Sequence, residues 1–299
     1  MPALPPVLVT HPRHRLRSYF GDEALARLAR IAEVRLNEGD EDLIGDALVQ
    51  AARGCAGIIA YRQTPLDEAV FAALPELVAV SRCAVDIRTI DVAAASRHGV
   101  LVTQASPGFA AAVSEWIVGA MIDLSRHISR ANAEYHAQGV ATARMGRELR
   151  GACAGVIGFG QITRYLCPLL RAFGMRVVLS DPCAQVDQAG VEQVVLPALL
   201  GQADFVICLA AATPATENLM NAQAFAAMRP GSHFINASRG NLVDDAALLQ
   251  ALERGHLAGA ALDVGRAPDQ MPSPELARHP LVLATPHNGG LTSPAVEHQ

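Results

Sequence analysis

Short apolar runs alternate along this chain with stretches whose apolar positions recur every three or four residues. The first pattern predicts buried strands and the second predicts helices packed on one face. "VLVT" (7–10), "GIIAY" (57–61), "LVAVS" (77–81) and "VLVT" (100–103) read as strands, with helices over 21–32 and 66–74 between them. They make a first α/β unit over 1–103. A long helical stretch follows at about 109–137, and "RMGRELRG" (144–151) then leads into a strand at 152–157. Beyond it the alternation continues through "RVVLSD" (176–181), "FVICLA" (205–210), "SHFINAS" (232–238), "GAALDV" (259–264) and "LVLATPH" (281–287). Five or six strands with intervening helices predict a doubly wound parallel sheet over 104–290, whose ligands lie beyond the carboxyl ends of the strands.

The candidate chemistry sits at those strand ends. "VIGFGQIT" (156–163) offers Gly158 and Gly160 of a G-x-G-x-x-G turn, with Thr163 in place of the third glycine. Gly158 permits the tight turn, and Gly160 lets backbone approach a pyrophosphate lying on a helix N-terminus. The third glycine serves helix–strand packing, so its loss matters less. Apolar residues from Ile162 to Phe173 follow helical spacing, although Pro168 interrupts the pattern and predicts a kink. Asp181 ends the next strand at about the 20-residue interval expected of the acid that binds a ribose 2′-hydroxyl. Its carboxylate favours NAD over NADP; the alternative is a turn aspartate before Pro182.

Two further clusters lie downstream. Arg239 follows a strand with Gly240 beside it, placed to polarise a carbonyl and grip a carboxylate, or else to serve as a surface guanidinium. Asp244 and Gly255 read as the cap and the stop of the next helix. His287 ends the last strand, between Pro286 and the Gly289–Gly290 pair. A histidine there is suited to donate a proton to a developing alkoxide, or it is structural. His11, His14, His127 and His136 read as ordinary surface or helix residues.

Composition narrows the chemistry further. Of 299 residues, 51% are hydrophobic and the net charge is -5, with no basic run, so nucleic acid is not an expected partner. No apolar stretch is long enough to span a membrane, and a cytoplasmic location is the default expectation. Cys55, Cys83, Cys153, Cys167, Cys183 and Cys208 are too scattered for a zinc site or a disulfide framework. The chain has no lysine. That excludes Schiff-base chemistry and a P-loop, and any cationic catalytic group must be Arg or His.

Together the clusters resemble the D-isomer-specific 2-hydroxyacid dehydrogenases. "RELRGACAGVIGFGQITRYLCPLLRAFGMRVVLSDP" is similar to the cofactor segment of that family. "TPATENLMNAQAFAAMRPGSHFINASRGNLVDDAALLQALERGHLAGAALDV" is similar to the stretch with the catalytic arginine, and "TPHNGG" to the histidine loop, with Asn288 where Ile is usual. The resemblance implies two Rossmann-like, parallel-sheet α/β domains, a flavodoxin-like substrate domain and an NAD domain, with a cleft between them. It implies oxidation of a D-2-hydroxy acid, or reduction of the 2-keto acid, with NAD. Arg239 would bind and polarise the keto acid while His287 donates the proton. Gly158, Gly160, Gln161 and Ile162 would cradle the pyrophosphate, Asp181 the ribose, with Ala237, Ser238 and Asp263 near the nicotinamide. A homodimer through the cofactor domain and the helix at about 110–137 is also implied.

Three departures qualify that expectation. The family pairs its histidine with a Glu after the "LDV" strand, but "LDVGRAPDQMPSPE" puts Pro268 there. Asp269 is the candidate substitute and Glu275 a weaker one. Without a carboxylate partner the histidine loses proton affinity. The substrate loop usually carries two glycines; "SRCAVDIRTID" has Ala84 and Asp86 at those places, beside Arg82, Val85 and Arg88. An altered substrate is expected, unless Asp86 points away and pairs with an arginine. The family also continues into a long helix returning to the substrate domain, whereas this sequence ends at "SPAVEHQ". The competing function is a dinucleotide sensor or corepressor on the same scaffold.

Overall fold

The computed structural model describes residues 3–299, which form two compact units: residues 3–109 with Leu291–Gln299, and Ala110–Gly290. The first holds a five-stranded parallel sheet of β1 (Pro6–Val9), β2 (Glu33–Leu36), β3 (Gly57–Ala60), β4 (Ala79–Arg82) and β5 (Leu101–Gln104), in the order β2-β1-β3-β4-β5. Leu8, Ile58 and Val80 fill its core with Leu48, Val70 and Phe71 from the flanking helices. The closing segment of the chain contributes the helix Ser293–His298 to this unit, where His298 Nε2 lies 2.7 Å from Ser106 Oγ.

The second unit holds β6 (Cys153–Ile157), β7 (Arg176–Ser180), β8 (Val191–Gln193), β9 (Phe205–Cys208), β10 (Ser232–Asn236), β11 (Leu257–Leu262) and β12 (Val282–Ala284). Its seven strands are parallel and ordered β12-β11-β10-β9-β6-β7-β8. From β6 the chain winds outward through β7 and β8. It then returns to β9 on the other side of β6 and winds away to β12. The carboxyl ends of β6 and β9 therefore form the topological switch point, where such sheets bind ligands.

Two strands escape the sequence pattern. β2 and β8 are edge strands, short and largely polar, so neither shows a continuous apolar run. Several other strands are also shorter than expected. β9, β10 and β12 stop at Cys208, Asn236 and Ala284, and the polar residues beyond them lie in loops.

The long helix expected over 109–137 is two helices, Ala110–Arg126 and Ile128–Gln138. They part at His127, which adopts a left-handed backbone (φ 56) while Asp123 accepts hydrogen bonds from Ser129 N and Oγ. His127 is thus a helix breaker rather than an ordinary helix residue. His11 likewise departs from a surface role. It is 1% exposed at the end of β1, with Phe20 and Tyr61 against its ring, and burial lowers its pKa to about 3. The helix Gln161–Ala172 runs through Pro168, which is exposed, while Thr163, Leu166, Cys167 and Leu170 face inward.

Candidate active site

The turn after β6 follows from its two glycines in different ways. Gly158 has φ +99, and a Cβ there would come within 2.8 Å of the Leu209–Ala210 backbone after β9. Only glycine fits the switch point at this spot. Gly160 has an ordinary φ of −98 and begins the helix Gln161–Ala172, with nothing within 4 Å of the position its Cβ would take. The protein itself does not require that glycine. The open space over a helix N-terminus, where N–H groups lack intrahelical partners, is what a pyrophosphate needs. Gln161 is exposed and Ile162 half-buried beside it.

Thr163 is a working replacement for the third glycine. It is fully buried, and its hydroxyl donates to Gly158 O at 2.7 Å, bolting the first helical turn to the glycine turn. Against the same turn, Ser114 Oγ donates to Ile162 O at 3.2 Å from the helix Ala110–Arg126. Asp181 adds a third fastening. One carboxylate oxygen accepts from Phe159 N at 2.8 Å, and the other from Cys183 N and Ala184 N. The expected ribose ligand is thereby aimed back at the glycine turn. A carboxylate has about four acceptor positions, so room for a ribose hydroxyl remains. These residues fit NAD.

At the other side of the sheet, register aligns the candidate catalytic loops. Asn236, Leu262 and Ala284 are paired across β10, β11 and β12. Arg239, Gly265 and His287 each stand three residues further on. Asn236, 1% exposed, brackets the first loop: its Oδ1 accepts from Ser238 N and its Nδ2 donates to Arg239 O, both at 3.1 Å. Ser238 Oγ donates to Ala210 O, which joins this loop to the switch point, and Ala237 is half-buried beside it. Arg239 is half-buried and donates from Nη1 to Ser238 O at 2.7 Å. Gly240 is pressed on Gly265, since a Cβ would fall 2.0 Å from Gly265 O.

Asp263 brackets the second loop. It is 3% exposed, and its Oδ1 accepts from Thr285 Oγ1 at 2.6 Å and Asn288 N at 2.9 Å. Its Oδ2 accepts from Gly289 N at 2.9 Å. Between those anchors His287 takes a left-handed backbone, φ 54, which for a non-glycine residue costs on the order of 1–3 kcal/mol. The His287 Nδ1 lies 3.2 Å from the main-chain carbonyl of Asp269. Because a carbonyl only accepts, Nδ1 is the protonated nitrogen in this contact. Asp269 thus reaches His287 through its backbone, in a left-handed pair with Gln270 (φ 58 and 57). Pro268 opens that turn, and Glu275 is exposed on the helix Pro274–Arg278. Sequence reasoning missed Asn236 and Thr285. A polar residue closing the apolar strand "HFIN" is the signal that would have found the first.

The expected substrate loop belongs to the other unit. Arg82 is 3% exposed and donates to the main-chain carbonyls of Tyr61, Arg62 and Asp86. Burial lowers its pKa to about 10, and the nearby Asp86 carboxylate offsets part of that shift. Asp86 is held by Arg88, whose N, Nε and Nη2 donate to its carboxylate at 2.7–3.1 Å. Ala84 and Val85 are half-buried between them.

The family model for D-isomer specific 2-hydroxyacid dehydrogenase, NAD binding domain, matches residues 118–289. The chain belongs to that family. It is 36% identical over 236 residues to D-3-phosphoglycerate dehydrogenase of Bacillus subtilis, an alignment covering 78% of this chain and 45% of that protein. The enzyme of the same name from Mycobacterium bovis is 35% identical over 277 residues, covering 91% and 51%. The chain therefore spans about half the length of the curated relatives it matches. A solved D-lactate dehydrogenase with NAD+ from Lactobacillus jensenii superposes with a TM-score of 0.81 at 26% identity, covering 98% of this chain and 92% of that one. The matched domain is the NAD binding domain of the family, so its cofactor is NAD.

Proposed function

We propose that the chain interconverts a D-2-hydroxy acid and its 2-keto acid. When bound, NAD supplies the hydride donor or acceptor for that exchange. Gly158, Gly160, Gln161 and Ile162 hold its pyrophosphate and Asp181 its ribose. Arg239 grips the substrate carboxylate and polarises the keto oxygen, and the charge developing there is met by a proton from His287 Nε2. Asp263 places the histidine loop and lies near the nicotinamide, with Ala237 and Ser238 at its edge. The observation that carries this reading is the pair of bracketed loops, which set Arg239 and His287 at equivalent register on the carboxyl edge of one sheet.

The loop Arg82–Asp86 is the substrate-binding loop in this reading. Arg82 shapes the loop from beneath, and Arg88 offsets the Asp86 charge. The substrate is a small-molecule acid, and its side chain differs from that taken by relatives with glycines at 84 and 86. A homodimer is supported by Ile128, Tyr135, Val140 and Met145, which are all well exposed along and just after the helix Ile128–Gln138. Six free cysteines fit a reducing cytoplasm. Among the described residues no helix is long and apolar enough to cross a membrane. The test is NADH oxidation with glyoxylate, hydroxypyruvate, pyruvate and phenylpyruvate. Turnover on at least one is expected, and NADH binding without turnover on any would favour the sensor.

A further inference from the structure

The loop from Gly265 to Pro272 touches both halves of the catalytic edge. At its start Arg266 turns back onto the Arg239 loop. Nε donates to Val243 O at 3.0 Å, and Nη2 reaches Asn241 O at 3.0 Å, Asn218 Oδ1 at 2.6 Å and Glu217 Oε1 at 3.0 Å. The second Glu217 oxygen takes Asn241 Nδ2 at 2.9 Å, which closes the network. At its far end the loop folds on itself: Gly265 N donates to Gln270 O at 2.8 Å, and Ala267 N to Met271 O at 3.0 Å. That fold carries the left-handed Asp269–Gln270 pair and presents Asp269 O to His287 Nδ1.

We propose that Arg266 is a positioning residue for His287, acting through the 265–272 loop. The inference rests on the acid–base role assigned above to His287. An exposed ion pair alone would do little. A guanidinium shared among four acceptors on two other segments is different, because its planar fork fixes direction as well as distance. It pins the loop's first half, so the strained second half cannot relax and Asp269 O stays under the ring. The histidine is then supported by a main-chain carbonyl, which needs no carboxylate side chain at position 268. Loss of that acceptor weakens the hold on the Nδ1–H form of the neutral ring, and its aim loosens.

The test is the 15N spectrum of the imidazole rings at a pH where they are neutral, with His287→Gln assigning the His287 signals. The native protein should show Nδ1 protonated and Nε2 bare. Arg266→Ala should move His287 toward Nε2–H, and Glu217→Gln should do so less. Glu217→Gln keeps an exposed, hydrogen-bonding side chain and so serves should Arg266→Ala fail to fold. Turnover on the keto acid that the panel identifies should fall roughly tenfold in Arg266→Ala, with the NADH dissociation constant within about twofold of native. His287 signals unchanged in both variants overturn the proposal, whatever the turnover. Full turnover by His287→Gln instead rejects the acid–base reading beneath it and leaves the tautomer result standing.

Discussion

The loop after β4 and the loops after β10 and β12 are held by opposite means. After β4, a buried cation, Arg82, reaches out to main-chain carbonyls, while Asp86 and Arg88 pair near the surface. After β10 and β12, buried acceptors, Asn236 and Asp263, gather the main-chain N–H groups that flank Arg239 and His287. In the first case the scaffold fixes the backbone and leaves the outward side chains free to vary. In the second the scaffold fixes the backbone on both sides of the reactive side chain. On the proposed function, chemistry is rigidly encoded in one region and specificity loosely encoded in the other.

Replacing the brackets tests that contrast most severely. Asp263→Ala leaves Thr285 Oγ1, Asn288 N and Gly289 N without their acceptor, at a cost of roughly 3 kcal/mol or more. Chemical denaturation should register that loss, and turnover should collapse with it. On the other side, Arg82→Met takes the guanidinium donors away from three carbonyls and is expected to cost about 3 kcal/mol, with unfolding again the readout. Asp86→Asn weakens the outer pair and should cost less than about 1 kcal/mol while changing KM across the keto acids. Equal stability losses for Arg82→Met and Asp86→Asn would erase the distinction between scaffold and outward residue.

The two turn glycines make a finer comparison. Gly158→Ala meets backbone at a positive φ and should lower stability by about 2 kcal/mol, weakening NADH binding as a consequence. Gly160→Ala should leave the melting temperature nearly native and still weaken NADH, because its methyl fills the space kept for the pyrophosphate. Native NADH affinity in Gly160→Ala would argue against that placement.

A different kind of effect is a shared acid sensitivity. His11 and His233 are buried, with pKa values lowered to about 3 and about 4, chiefly by desolvation. A histidine whose folded pKa is depressed adds full stability above its unfolded value near 6.5. That contribution is lost as pH falls toward the folded value, by about 1.4 kcal/mol per pH unit for each group. Stability should thus decline between about pH 6.5 and 4. His233→Leu should flatten part of that slope in denaturant titrations, and an unchanged slope would remove His233 as a source.

Particular residues explain how much was legible beforehand. The glycine turn, Asp181, Arg239 and His287 stood out because each lies at a strand end in a fixed pattern. The edge strands did not, because "EVRL" and "VEQ" expose polar residues and carry no apolar run. The break at His127 was hidden because a left-handed residue held by Asp123 leaves the helical spacing on either side intact. Asp269 was singled out for its carboxylate; the contact of its carbonyl with His287 Nδ1 was not legible, because no spacing rule reports on a main-chain atom. Arg266 was passed over because its partners, Glu217 and Asn218, are distant in sequence.

The central claim is that His287 exchanges the substrate proton through Nε2, at a site where other residues are proposed to hold NAD. His287→Gln, measured for turnover and NADH affinity in parallel, tests it most directly. Turnover should fall by roughly 10²–10⁴-fold while the NADH dissociation constant stays within about twofold. Native turnover in His287→Gln, or NADH affinity lost in step with activity, would contradict the account.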